Sequence, residues 1–186
     1  MKERYESKVV VFLVLTRENE NGTQILLQRR CNTGYMDGKY DMACSGHLEE
    51  GESLSMAVVR EAKEELGIDI QEKDLEFVSV LHPYQEGYLN VFFSTKRFKG
   101  IPQIMEKEKC DDLRWFNKRN LPENTIERIK QVIKCMENGI IYDDGDFSNL
   151  KNKQTEMKSE IERYINRYKL QKVVDNFNTG ASILNP

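Results

Sequence analysis

"GHLEEGESLSMAVVREAKEELGI", Gly46 to Ile68, is the stretch that decides how this chain is read. From Ser53 it runs without proline or glycine until Gly67, so it predicts one helix that a serine opens and a glycine closes. On a helix, residues three and four apart are neighbours, which gathers Glu61, Glu64 and Glu65 into a sector about 100° wide. Leu54, Val58, Ala62 and Leu66 occupy the adjoining sector, which must face a core. The acids therefore stand at the border of the buried face. Taken alone, the run also suits a solvated helix face, because glutamate is a good helix former. Beside apolar packing, however, a desolvated carboxylate must take up a proton or find a counter-charge. A divalent cation supplies one, and Mg2+ and Mn2+ prefer hard oxygen ligands of this kind.

Working outward, Lys8 to Thr16 is rich in β-branched residues and reads as a strand, with the segment from Thr23 to Arg30 as its hairpin partner across "ENENG". The glycine-containing "CNTGYMDGKYD" reads as a loop leading into a short strand near Met42 to Ser45. Beyond the helix, "LEFVSVLHPY", "GYLNVFFSTKRF" and the short "RWF" at Arg114 to Phe116 read as strands. A second helix is expected to open near Pro122 and close at Gly139. In the last forty residues Met157, Ile161, Tyr164, Ile165 and Tyr168 form the apolar stripe of an amphipathic helix. Three surfaces stand open for it: the same chain, a second copy in a homodimer, or a partner's groove.

At 186 residues the chain suits one domain with an appendage. The 28 basic and 31 acidic side chains leave a net charge of −3, and no lysine-arginine block is long enough to mark a nucleic-acid footprint. Nucleic acid is therefore not the expected partner. Cys31, Cys44, Cys110 and Cys135 are scattered without a CxxC pair, which signals neither a disulfide framework nor a zinc site and fits free thiols in the cytoplasm. The apolar run "VVVFLVL" is far shorter than the about 20 residues a bilayer span needs, so no membrane role is expected. His47 and His82 have no Cys or Asp at ligand spacing, and the single Trp115 reads as core more readily than as a base-stacking platform.

The opening stretch resembles the Nudix box, G-x5-E-x7-R-E-U-x-E-E-x-G-U with U aliphatic, through Gly46, Glu52, Arg60, Glu61, Ala62, Glu64, Glu65, Gly67 and Ile68, with no position missing. The strand order around it is similar to a Nudix domain through about Gly139. That resemblance implies a Nudix-type α/β/α sandwich with a mixed sheet over residues 1–148, followed by an extra C-terminal helical extension over 149–186. It implies Mg2+-dependent hydrolysis, with Mn2+ as the other cation, of a nucleoside diphosphate linked to a moiety X. Carried over by position, Glu61, Glu64 and Glu65 would ligate the metal, the Gly46 carbonyl would join them, and Arg60 would orient a glutamate while Glu52 braces the loop.

Outside the box, Glu106 and Glu108 are the acidic candidates in the loop before Trp115, with Glu108 taken as a further metal ligand. Arg29, Arg30 and Lys39 are the candidate cations for the substrate phosphates, with only one of the two arginines facing inward by strand alternation. Ser45 stands where many members carry a second glycine. The "KCDDLRWF" region is most similar to members that clean up nucleoside triphosphates, including oxidised ones. Nucleotide sugars such as ADP-ribose, RNA 5′ ends, and a non-catalytic nucleotide-sensing module are the alternatives.

Overall fold

The computed structural model describes residue 4 and residues 6–144; the apolar stripe expected from Met157 to Tyr168, the homodimer contact hung on it and the boundary expected at 148 lie outside them. Strand β1 (Lys8–Asn19) lies inside the sheet, between β2 and β6. Six successive residues from Val10 to Leu15 are buried, a continuous apolar run of the kind a strand needs when both faces of its sheet are covered. Alternation divides them. Val10, Phe12 and Val14 join the core beneath one helix, while Val11, Leu13 and Leu15 join the core beneath the other.

Strand β2 (Gly22–Arg30) pairs antiparallel with the far half of β1, as the hairpin pattern predicts, from Thr16↔Ile25 to Asn19↔Gly22. The strand expected near Met42 is two strands. β3 (Tyr40–Met42) pairs with β2, and β4 (Cys44–His47) pairs with β1, with only Ala43 between them. Helix α1 (Leu54–Leu66) follows, then β5 (Glu76–Leu81) and β6 (Tyr88–Thr95), the latter parallel to β1 over its whole length. Strand β7 (Cys110–Asn117) is longer than "RWF" suggests, because it lies antiparallel along most of β2. Helix α2 (Glu127–Asn138) starts about a turn later than Pro122 suggests, since the intervening chain is tied to Tyr40 by the Tyr40 N–H to Asn124 and the Ile126 N–H to the Tyr40 carbonyl. A two-residue strand β8 (Tyr142–Asp143) adds parallel to β5. The sheet is thus mixed, in the order β3-β2-β1-β6-β5-β8, with β4 on β1 and β7 on β2.

Helix α1 is bounded as its sequence predicts. The Ser53 hydroxyl accepts the Met56 N–H at 3.1 Å, and Gly67 adopts the left-handed conformation, φ 68°, from which its N–H reaches the Lys63 carbonyl and that of Ile68 the Ala62 carbonyl. Its apolar face packs Ala57, Val58, Ala62 and Leu66 against Val11, Leu13 and Leu26. Helix α2 covers the opposite face with Ile129, Val132, Ile133 and Cys135. Each large side chain so buried contributes roughly 1.5–3 kcal/mol, which presses α1 onto β4 and sets the acids of the helix against that strand.

Candidate active site

Arg60 is the hub of the α1 acids. Its Nε donates to Glu52 Oε1 at 2.7 Å and its Nη2 to Glu52 Oε2 at 3.1 Å, a two-pronged pair that ties the helix to the loop before it. Nη2 also reaches the His47 carbonyl at 3.1 Å, while Nη1 donates to Glu61 at 2.6 Å and Glu64 at 3.1 Å. Glu52 in addition accepts the Glu49 N–H at 3.2 Å, so the loop is closed on itself. Arg60 beside Glu52 holds the Glu52 carboxyl below its ordinary range.

Glu61 and Glu65, one turn apart, rest on the backbone of β4. Glu65 accepts the Ser45 N–H at 2.8 Å. Glu61 lies directly over Gly46, where a Cβ would meet its Oε1 at 1.7 Å. Gly46 is therefore required for close approach and not for a turn. Burial pushes the Glu61 carboxyl up, opposed by Arg60. It drives Glu65 to about 8, against the pull of the Ser45 N–H, with Glu61 and Glu106 adding to the rise. Glu64 differs from both: its side chain is 59% exposed.

The segment before β7 completes this corner. The Gln103 N–H bonds to the Leu66 carbonyl and the Met105 N–H to the Glu65 carbonyl, satisfying the otherwise unpaired C-terminal end of α1. That brings Glu106 into the field of Glu61 and Glu65. Lys109 pairs with Glu106 at 2.7 Å. The Glu108 carbonyl accepts from Cys31 and Asn32, and the Glu108 charge acts on Cys31 and Lys109.

The candidate phosphate-binding cations are dispersed. Arg29 pairs with Asp111 at 2.7 Å on an exposed edge. Arg30 holds its own loop through the Tyr35 carbonyl and Thr33, and reaches the buried Asp41 at 3.4 Å, where Arg128 of α2 also binds. Lys39 is exposed and has no ion pair among the described residues. Of the two arginines only Arg30 reaches a buried partner, and the register shift between their ladder pairs inserts Asp111 on β7 and leaves β2 continuous. Trp115 packs with the α1 core, covered by Arg17 at 4.3 Å. All four cysteines are free.

Hard carboxylate oxygens on one rigid helix, over a glycine that leaves room for close approach, are the donor set a divalent cation takes. Among the described residues no three of these side chains already converge as a cage. Arg60 draws Glu61 and Glu64 to itself, and the Ser45 N–H holds Glu65. The residues fit a cation that competes with Arg60 for their charge.

A NUDIX domain model matches residues 6–134, and the chain belongs to the Nudix family. It is 31% identical over 101 residues to the NAD-capped RNA hydrolase NudC of Stutzerimonas stutzeri, across 54% of this chain and 34% of that protein. It is 33% identical over 113 residues to the NAD-capped RNA hydrolase of Schizosaccharomyces pombe, across 60% of this chain and 28% of that one. The aligned stretch is thus about a third of each of these curated relatives. Among solved structures, the MutT NUDIX hydrolase from Burkholderia pseudomallei shares the fold at a TM-score of 0.61 and 22% identity, covering 69% of this chain and 97% of that one. Among the described residues no helix is long and apolar enough to cross a membrane.

Proposed function

We propose that this protein hydrolyses a phosphoanhydride bond of a nucleoside diphosphate linked to a further moiety, using a divalent cation, Mg2+ or Mn2+. The observation that carries the reading is the seating of Glu61 and Glu65 on the Gly46–Ser45 backbone, with Glu64 alongside on the same turn. Glu61, Glu64 and Glu65 would hold the cation, the Gly46 carbonyl would contribute, and Glu106 is better placed than Glu108 to join them. When bound, the cation neutralises phosphate charge and makes water a better nucleophile. Arg60 orients Glu61 and Glu64, and Glu52 fixes Arg60. Lys39, exposed in the loop before β3, is the freest of the three candidate cations to meet a phosphate.

Nucleoside triphosphates, oxidised ones included, are the first substrate class, on the local similarity of the "KCDDLRWF" region. RNA 5′ ends are the second, favoured by the names of the curated relatives. A non-catalytic sensor is disfavoured because every acid of the box is present. The test is a panel of nucleoside di- and triphosphates, nucleotide sugars and 5′-capped RNA incubated with the full chain, with products identified by mass. Cleavage in Mg2+ or Mn2+ that stops in excess chelator supports the reading, and undiminished cleavage in chelator refutes the metal role.

A further inference from the structure

The chain carries a net charge of −3, yet one groove on it is cationic. It lies between the segment that follows β7 and the outer face of α2, has a volume of about 400 Å³, and is lined by Lys118, Arg119, Leu121, Lys130, Ile133, Lys134 and Glu137. Four cations thus face one acid. Lys130 and Lys134 stand one helical turn apart, and "NKRN" supplies the other two, so folding assembles a patch that no run in the sequence displays. Lys118 is satisfied by Glu137 at 3.4 Å and Lys130 by Glu127 at 3.3 Å. Arg119 and Lys134 are exposed and have no ion pair among the described residues.

We infer that this groove binds the phosphodiester backbone of a single-stranded RNA whose 5′ end is the substrate. The inference rests on the hydrolase reading for what happens at that end, but not for the binding itself. Four charges around a concave apolar floor of Leu121 and Ile133 suit a flexible anionic strand, and an arginine adds a planar fork matched to phosphate. No aromatic side chain lines the groove, so it has no platform for base stacking and grips the backbone without regard to sequence.

Register gives the span. Gly46 pairs with Val11, whereas the groove begins just past Asn117, which pairs with Gln24 near the Asn19↔Gly22 end of the hairpin. Gln24 pairs with Arg17, six residues of β1 from Val11, or about 20 Å at about 3.3 Å per residue, and the groove lies on the α2 face of the sheet, opposite the α1 acids. A strand joining them must round the sheet, so it needs more than the about six stacked nucleotides, at about 3.4 Å each, that the in-plane distance alone would take. A mononucleotide cannot occupy both places; an RNA strand can.

The experiment measures fluorescence anisotropy of a 3′-labelled, 5′-hydroxyl single-stranded RNA of about 20 nucleotides, long enough for the span above, titrated with the full chain over a series of KCl concentrations. This probe has no phosphoanhydride, so the readout is independent of catalysis. Arg119→Ala with Lys134→Ala removes two phosphate contacts at exposed positions, and circular dichroism checks the fold. The expected result is affinity at least about tenfold weaker at low salt, with the log-log salt slope reduced by about 1.4, or about 0.7 per lost contact. The double variant should still turn over a nucleoside triphosphate, while its KM for 5′-triphosphorylated RNA rises. Unchanged affinity and slope would overturn the inference, and so would equal displacement by polyglutamate of matched charge, which would mark an acidic-protein site. If the wild type binds RNA but cleaves no nucleotide, the catalytic reading fails and the groove stands.

Discussion

The carboxylate of Glu61 occupies the space that a side chain at residue 46 would need, its Cδ only 1.9 Å from where the Cβ of any other residue would sit. Helix α1 and strand β4 can approach this closely because Gly46 presents bare backbone. Gly46→Ala must therefore expel Glu61 from its seat. Turnover is expected to fall by about 100-fold or more, with a lower midpoint of thermal unfolding, and steady-state kinetics with a melting curve check both. Unaltered kinetics would show that Glu61 works from another position.

Glu65 links stability to pH. Its carboxyl is raised to about 8 by burial, with Glu61 and Glu106 adding to the rise. In the folded protein it keeps its proton up to about pH 8, whereas the unfolded chain releases it near the ordinary glutamate value. Between those values the folded state binds more protons, so this group's contribution to stability falls as pH rises across the window and levels off above it. Glu65→Gln should then melt higher than wild type at pH 8.5 without metal, and the difference should shrink at pH 5. The same variant should lose the thermal upshift given by Mg2+, which in the wild type should grow from pH 6.5 to 8.5 as the competing proton leaves.

Arg60 makes bonds that a lysine cannot copy, since a single ammonium cannot span both Glu52 oxygens, the His47 carbonyl and the Glu61 and Glu64 oxygens in one plane. Arg60→Lys is expected to lower kcat by about 10–100-fold and to destabilise the fold by about 1–3 kcal/mol. Denaturant unfolding gives the second figure. If Arg60→Lys kept full turnover, charge alone would be what the site needs from residue 60.

Glu106 and Glu108 stand two residues apart, and the charge of Glu106 acts on both Glu61 and Glu65. Glu106→Gln should reduce turnover by about tenfold or more and weaken Mg2+ binding measured by calorimetry. Glu108→Gln should stay within about twofold of wild type. The reverse outcome would reinstate Glu108 as the loop ligand.

The helix that carries the acids was legible in the sequence because its signals are local: Ser53 to start, Gly67 to stop, and an apolar stripe between them. The β1–β2 hairpin was legible for the same reason, through "ENENG" and alternation. What escaped depended on partners distant in the chain. Cys110, Asp111 and Asp112 look like loop until β2 lies beside them, when Arg30↔Cys110 and Arg29↔Asp112 become a ladder. Tyr142 and Asp143 are a strand only because β5 offers them an edge. Within the site, Glu52, Arg60, Glu61 and Glu65 meet as the box spacing suggests. Two backbone bonds from Gln103 and Met105 to the end of α1 bring Glu106 into the field of Glu61 and Glu65, a neighbourhood that no spacing rule encodes. Asp41, buried between Arg30 and Arg128, gave no sequence signal, because its counter-charges come from β2 and from α2.

Ala43 is the single residue at which the chain leaves the β2 ladder and joins that of β1. To loosen Gly46, solvent would have to strip β4 from the central strand, and that rupture also reaches the core around Cys44. The amide hydrogens of this corner should therefore exchange with deuterium on the clock of whole-domain opening and not of a fraying loop. The backbone on which the proposed site rests is thereby expected to be among the slowest of the described residues to exchange.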